Sequence, residues 1–229
     1  MILVLLVGVW SVSALEDTTG TITLDFYPLF SVVSGDKFYT SDGLGNTLAV
    51  IDTTKNTLAK SILVGQGPSA GVIVGTTLYV ANSESGTVSV IDTTTDTVKK
   101  TLTVERGPRY MLLSGTNLYV ANTLGDSVSI IDTTTESYLR TIPVGSGPTV
   151  MTYLYGRVYV ANSTSTSVSF INTSKLLGTI STGLNPSSFS SLSSRYLYVT
   201  NLRNKNVTLI DTGDTTSTQV SEPKVQIPV

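Results

Sequence analysis

The sequence predicts an all-β fold, a β-propeller of five four-stranded antiparallel blades with a period of 40 residues. Three observations predict it. One phrase returns at a nearly constant interval: Tyr79-Val80-Ala81-Asn82 recurs as Tyr119-Val120-Ala121-Asn122, Tyr159-Val160-Ala161-Asn162 and Tyr198-Val199-Thr200-Asn201, after a degenerate copy at Phe38-Tyr39-Thr40-Ser41. Two further series keep step with it. Ile51-Asp52-Thr53 returns at Ile91, Ile131, Ile171 (with Asn172 for Asp) and Ile210, and prolines stand at 28, 68, 108, 148 and 186, the middle three preceded by glycine. Between these marks lie short β-branched stretches separated by Gly, Asn, Asp, Ser and Thr clusters, and beyond the extreme N-terminus no window carries an apolar stripe of helical period.

Within a unit, strand A begins at the proline, near 28–34, 68–74, 108–114, 148–154 and 186–192. Strand B ends in the Tyr-Val-Ala-Asn phrase. Its alternate side chains point to opposite faces of the sheet and so pack one neighbouring blade each. Asn82, Asn122, Asn162 and Asn201 close this strand, where a short amide can bond nearby backbone and accept a left-handed conformation. Strand C ends at Ile-Asp-Thr, and Asp52, Asp92, Asp132 and Asp211 then open threonine-containing turns, a natural Asx-turn position. Strand D leads to the next proline. Blades are thus expected near 28–64, 68–104, 108–144, 148–182 and 186–220, in one domain spanning 15–229. Residues 20–25 have the phase of a strand D and compete with the segment 218–227 for the outer place in the last blade. Whichever strand is left over is free to pair with another subunit.

These phrases resemble the YVTN-type β-propeller repeat proteins, named for the motif that stands intact at Tyr198-Val199-Thr200-Asn201. The resemblance runs from about Gly20 to Asp211. It implies a propeller and a secreted or cell-surface location, surface-layer-associated relatives among them. It also implies that some related propellers are enzymes, and that most relatives have more blades than five.

Composition narrows the chemistry. The chain has no cysteine and no histidine, 13% charged residues and a net charge of −2. Disulfides, a Ser-His-Asp triad, a thiol nucleophile, imidazole-bound zinc and histidine-ligated haem are excluded. No basic patch marks a nucleic-acid partner. Residues 2–9 are apolar and Val12-Ser13-Ala14 supplies small residues, so 1–14 reads as a signal peptide, though without the usual basic start. The other reading is an internal hydrophobic strand. As a helix the segment would reach roughly 22 Å, short of a ~30 Å hydrocarbon core, so no membrane span is expected. Asn162, Asn172 and Asn206 head Asn-x-Ser/Thr sequons, glycosylation candidates that a Ser/Thr-rich chain also produces by chance.

The strand A segments contain no Asp or Glu, and only Asp25 and Glu105 lie near the channel mouth in sequence. Propeller hydrolases place carboxylates there, so the expectation is no enzyme activity. No cofactor and no metal are expected either, because Asp52, Asp92, Asp132 and Asp211 sit on separate blades and cannot converge within ~2.6 Å of one ion. The B–C loops differ most between units, and loops on a rigid scaffold are where binding usually resides. Arg106, Arg109 and Tyr110 surround the Gly107-Pro108 turn, and Arg203 and Lys205 lie in the last B–C loop. In a closed ring they would border one mouth suited to an anionic ligand; otherwise they are ordinary solvated charges. The reading is a non-catalytic secreted or cell-surface scaffold or adhesion module, self-assembling by strand exchange into homo-oligomers or polymers. Its partner would be a protein or glycan at the cell surface. A second reading is a small-ligand or glycan-binding module using the B–C and D–A loops, and a third is a lactonase-like or glycoside hydrolase.

Overall fold

The structure, a computed structural model, describes residues 20–191 and 195–213 and a strand at 226–228. Among the described residues twenty strands form five four-stranded sheets, each an antiparallel meander in chain order. Blade 1 holds β1 (Pro28–Ser34), β2 (Lys37–Asp42), β3 (Thr47–Asp52) and β4 (Thr57–Leu63). Blade 2 holds β5 (Pro68–Val74), β6 (Thr77–Asn82), β7 (Thr87–Asp92) and β8 (Thr97–Thr103). Blade 3 holds β9 (Pro108–Ser114), β10 (Asn117–Asn122), β11 (Ser127–Asp132) and β12 (Ser137–Pro143). Blade 4 holds β13 (Pro148–Leu154), β14 (Arg157–Asn162), β15 (Ser167–Ile171) and β16 (Leu176–Ser181). Blade 5 holds β17 (Pro186–Ser190), β18 (Tyr196–Asn201), β19 (Asn206–Asp211) and β20 (Gln226–Pro228).

The competition for the last outer strand has a clear outcome. β20 pairs with β19 through Asn206↔Pro228, Val207↔Ile227 and Thr208↔Gln226. Residues 20–27 form no strand, so the expected closing strand at 20–25 is corrected. The outer strand expected to end by 220 falls instead at 226–228, while 218–220 and the expected signal segment 1–14 lie outside the described residues.

Two-residue periodicity explains why the blades stack. At the junction of blades 2 and 3, Tyr79, Ala81, Val88 and Val90 pack on Met111, Leu118, Val120 and Ile131. Each sheet therefore offers its Tyr-x-Ala side to the next blade and its Leu-x-Val side to the one before. The same pattern builds the junctions of blades 1 with 2, 3 with 4, and 4 with 5. Burying one such Val, Leu or Ile contributes about 1.5–3 kcal/mol, so four repeated clusters hold the fan together.

Polar clasps add direction at the outer rim. Lys60 and Lys100 donate to the carbonyls of Asp96 and Glu136, and Arg140 donates to the carbonyl of Ser174, each reaching the turn of the following blade. Asp96 also accepts from Tyr39 Oη at 2.6 Å and from Lys37 Nζ at 2.7 Å. The inner strands β1, β5, β9, β13 and β17 lie side by side in that order. No comparable contact joins β17 back to β1 among the described residues, and the five sheets form a propeller-like fan.

Candidate functional site

The strand-to-strand connectors and the β-turns between second and third strands share one face of the fan. The connector joining one blade to the next ends in Gly67, Gly107, Gly147 or Asn185, all at positive φ (64°, 67°, 66° and 59°), each directly before a proline. Only glycine, or asparagine at modest cost, adopts this conformation freely. Its carbonyl accepts from the next blade's loop: Ser83 N at 2.7 Å, Thr123 N at 2.8 Å, Ser163 N at 2.8 Å and Leu202 N at 2.9 Å. The loop face is thus a repeated, hydrogen-bonded frame.

One connector breaks the repeat. Two residues before that left-handed position stand Gly65, Gly145 and Gly183, but Glu105 in the connector between blades 2 and 3. The glycines are required by space. A Cβ on Gly65 would lie 2.8 Å from Asn82, one on Gly145 2.4 Å from Asn162 Nδ2, and one on Gly183 2.7 Å from Asn201. Glu105 has a side chain in the corresponding place, and two bonds of the frame are missing there. Glu84 N, Thr164 N and Arg203 N donate to the carbonyls of Gln66, Ser146 and Leu184, whereas the described residues show no matching bond from Leu124 N to Arg106. Ser83 and Ser163 hydroxyls bond Gly67 and Gly147, whereas Thr123 Oγ1 turns away to the carbonyl of Pro148 at 2.8 Å.

A cleft of about 400 Å³ opens at this connector. Glu84, Glu105, Arg106 and Arg109 line it with Ser83, Ser85 and Leu124. All four charged side chains are exposed and hold no hydrogen bond or ion pair with the described residues. Most cations elsewhere are committed, although the side chains of Lys175, Arg203 and Lys205 also show no partner among the described residues. Lys37, Lys55, Lys99, Lys100 and Arg195 are paired with carboxylates, and Arg157 lies over the Phe170 ring. Cations and carboxylates left uncommitted in one concavity are available to a ligand.

The structure brings together only part of the predicted set. Arg106 and Arg109 share the cleft. Tyr110 faces blade 4 instead, half-buried against its core with Oη 3.5 Å from the carbonyl of Met151. Arg203 and Lys205 sit on the β18–β19 turn of blade 5 and line no part of the cleft. Glu84, Ser83 and Ser85 were missed. The signal that would have found this place is the Gly65, Gly145, Gly183 series interrupted at Glu105.

The repeated turn residues have other work. Asn82 Nδ2 donates to Thr87 Oγ1 and Ser89 Oγ, both at 3.0 Å, and Asn122, Asn162 and Asn201 repeat this across their own second and third strands. They bond side chains rather than nearby backbone, and the left-handed positions fall elsewhere, at Asp96, Asp126 and Glu136 among others. Asp92 Oδ1 accepts Thr94 N at 2.8 Å and Thr94 Oγ1 at 2.6 Å, and Asp132 does the same with Thr134. These bonds, the hydroxyl first, hold both carboxyls below their ordinary pKa. Asp52 closes a similar turn, and Asp211 accepts Gly213 N and Arg195. Of the sequon residues, Asn162 has no exposed surface, so its glycosylation is corrected, while Asn172 and Asn206 are partly exposed. Among the described residues no three His, Cys, Asp or Glu side chains converge on one point.

No family model and no curated protein match this chain. Solved structures do. The hydrazine synthase of Kuenenia stuttgartiensis is similar at a TM-score of 0.66 and 23% identity, covering 86% of this chain and 66% of that one. A putative 6-phosphogluconolactonase from Bacteroides uniformis is similar at 0.67 and 15% identity, covering 88% of this chain and 71% of its own. One from Bacteroides fragilis gives 0.66, 14%, 88% and 70%. This chain thus spans about two thirds of the length of the structures it resembles. Likeness at this identity shows the fold. The names also correct the expectation of a non-catalytic scaffold or adhesion module, because these fold neighbours are named as enzymes.

Proposed function

We propose that this chain is an enzyme-type propeller that binds a small anionic sugar derivative in the cleft between blades 2 and 3 and hydrolyses its lactone ring. The observation that carries the reading is the interrupted repeat. At Glu105 the sequence abandons a glycine that packing demands elsewhere, and there two uncommitted carboxylates meet two uncommitted guanidinium groups. Natural sequences break their local rules where function asks for it. The names of the fold neighbours in Bacteroides support the substrate class.

The residues supply each part of a metal-independent hydrolysis. A carboxylate of Glu105 takes a proton from water as the water oxygen attacks the lactone carbonyl. A guanidinium of Arg109 stabilises the oxyanion that forms. The ring C–O bond then breaks, and the leaving alkoxide takes the proton back from Glu105, giving the open hydroxy acid. Arg106, a planar fork of donors, suits a phosphate or carboxylate at the far end of the substrate. Recognition of this kind uses the repeat resemblance as scaffold and the loop face as site.

The test is the rate of ring opening of 6-phosphogluconolactone followed by proton release, beside the unphosphorylated lactone. The expected result is acceleration over buffer for the phosphorylated compound, with Arg106→Ala raising KM. Equal rates with and without protein would overturn the reading.

A further inference from the structure

The room for Glu105 is made by a second exception, in the turn between β10 and β11 that faces it. Ser85, Gly125, Ser165 and Asn204 stand at one repeat position in the turns of blades 2 to 5. Where the connector carries glycine, at 65, 145 and 183, the turn carries a side chain. Where the connector carries Glu105, the turn carries glycine. Blades 2 and 3 show that the two positions share one space. A Cβ on Gly65 would lie 2.5 Å from Ser85 Oγ, and a Cβ on Gly125 would lie 2.9 Å from the Cβ of Glu105. Gly125 is not among the glycines at positive φ, so the backbone does not ask for glycine there and the space does. Blade 1 has Gly45 at this position for a different reason, since a Cβ there would meet Asp42 Oδ2 at 2.1 Å.

The same missing side chain also seats Arg106. A Cβ on Gly125 would lie 3.2 Å from Arg106 N and 3.3 Å from the Arg106 carbonyl oxygen. Two consecutive cleft residues, one carboxylate and one guanidinium, therefore rest against the bare Cα of Gly125. The turn itself is fixed on both sides. Gly125 N donates to the carbonyl of Asn122 at 3.0 Å, and the carbonyl of Asp126 accepts Val144 N at 3.0 Å. Asp126 Oδ1 accepts Gly147 N at 2.8 Å, which ties the turn to the following connector. A turn held in this way does not retreat, so a side chain at 125 would push the connector that carries Glu105 and Arg106. We infer, resting on the reading of the cleft as a lactone-opening site, that Gly125 is a positioning residue: its missing side chain sets where the Glu105 carboxylate and the Arg106 guanidinium stand. It touches no substrate and acts through its two neighbours. A shift of about 1 Å at a reacting group costs on the order of 10²-fold in rate, so a single Cβ is enough to matter.

A double-variant cycle on the full chain comes first. Gly125→Ser installs the residue found at 85 and 165, and Glu105→Gly restores the glycine of the other connectors. Urea unfolding is expected to show a lowered midpoint for Gly125→Ser alone and a midpoint close to wild type once Glu105→Gly is added. An equal loss in both backgrounds, or no loss in either, would overturn the inference. The second measurement is turnover of 6-phosphogluconolactone under conditions where the variant is folded by circular dichroism. Gly125→Ser is expected to lose about 10²-fold in kcat and to raise KM, because the carboxylate and the guanidinium move together. Gly125→Ala, which adds the Cβ alone, carries both measurements where serine unfolds the chain. A folded variant with wild-type kcat and KM would overturn the positioning role. The two readings fail separately. A wild type without activity overturns the enzyme reading, and the cycle then decides by itself whether Gly125 seats Glu105. An uncoupled cycle overturns that seating however active the wild type is.

Discussion

The clasp between blades 1 and 2 makes a quantitative test of how the fan is held. Asp96 Oδ1 accepts from the buried Tyr39 hydroxyl at 2.6 Å, and Asp96 Oδ2 accepts from Lys37 Nζ at 2.7 Å. Asp96 also sits at a φ of 53°, a conformation Asn tolerates and Ala does not. Asp96→Asn therefore removes the charge without straining the turn. A hydrogen bond to a charged group is worth about 1.5–3 kcal/mol, and the partly exposed lysine pair adds up to about 1 kcal/mol. The expected loss for Asp96→Asn is about 1–2 kcal/mol, since the amide keeps an acceptor for one of the two donors. Tyr39→Phe removes the donor and keeps the packing. Urea unfolding of wild type, both single variants and the double variant gives the coupling between the two side chains. A coupling of about 1 kcal/mol or more is expected, with a melting shift of roughly 2–8 °C for each single variant. Coupling indistinguishable from zero would show that the bond does not hold the blades together.

Other consequences follow from the same geometry. Gly145→Ala should cost about 1–3 kcal/mol in urea unfolding, because its Cβ would meet Asn162 Nδ2 at 2.4 Å, whereas Glu105→Ala at the equivalent position should leave stability nearly unchanged. Equal costs would remove the claim that this connector is built differently. Burial and then the nearby Glu136 and Asp132 push the Tyr79 hydroxyl up to about 12 from 10.0, so its neutral form is favoured in the folded chain. That stability is complete below pH 10, where neither state ionises, and is lost between pH 10 and 12 as only the unfolded chain releases the proton, at most roughly 2–3 kcal/mol. Tyr79→Phe should flatten that part of the alkaline unfolding curve. Glu136 is held below its ordinary pKa first by its bond to Lys99, so on the acid side stability should fall as pH drops below the unfolded carboxylate range, and less so in Glu136→Gln.

The fan was legible because its elements repeat. A period of 40 residues with alternating Tyr-Val-Ala phrases specifies which side chains are inward, and the structure buries Tyr79, Val80 and Ala81 with no exposed surface. The position of β20 was not legible. After Asp211 the repeat loses its phrases, and no periodic signal separates 218–220 from 226–228. The role of Asn82 was half legible. Its burial at a strand end follows from the phrase, but its hydroxyl partners Thr87 and Ser89 lie on the next strand and need the register to be known. The cleft was legible in its arginines and hidden in its carboxylates. Glu84 is an ordinary turn residue in sequence, and Glu105 stands out only once the glycines at 65, 145 and 183 are seen to fill a space with no room for a Cβ.

The central claim is that Glu105 replaces a packing glycine in order to do chemistry. The measurement that tests it most directly is kcat for 6-phosphogluconolactone with wild type and with Glu105→Gln, which keeps the shape and removes the base. The account predicts turnover by the wild-type chain and a loss of about 10²–10⁴-fold in kcat for the variant, with KM little changed. A variant as fast as wild type, or a wild type no faster than buffer, would contradict it.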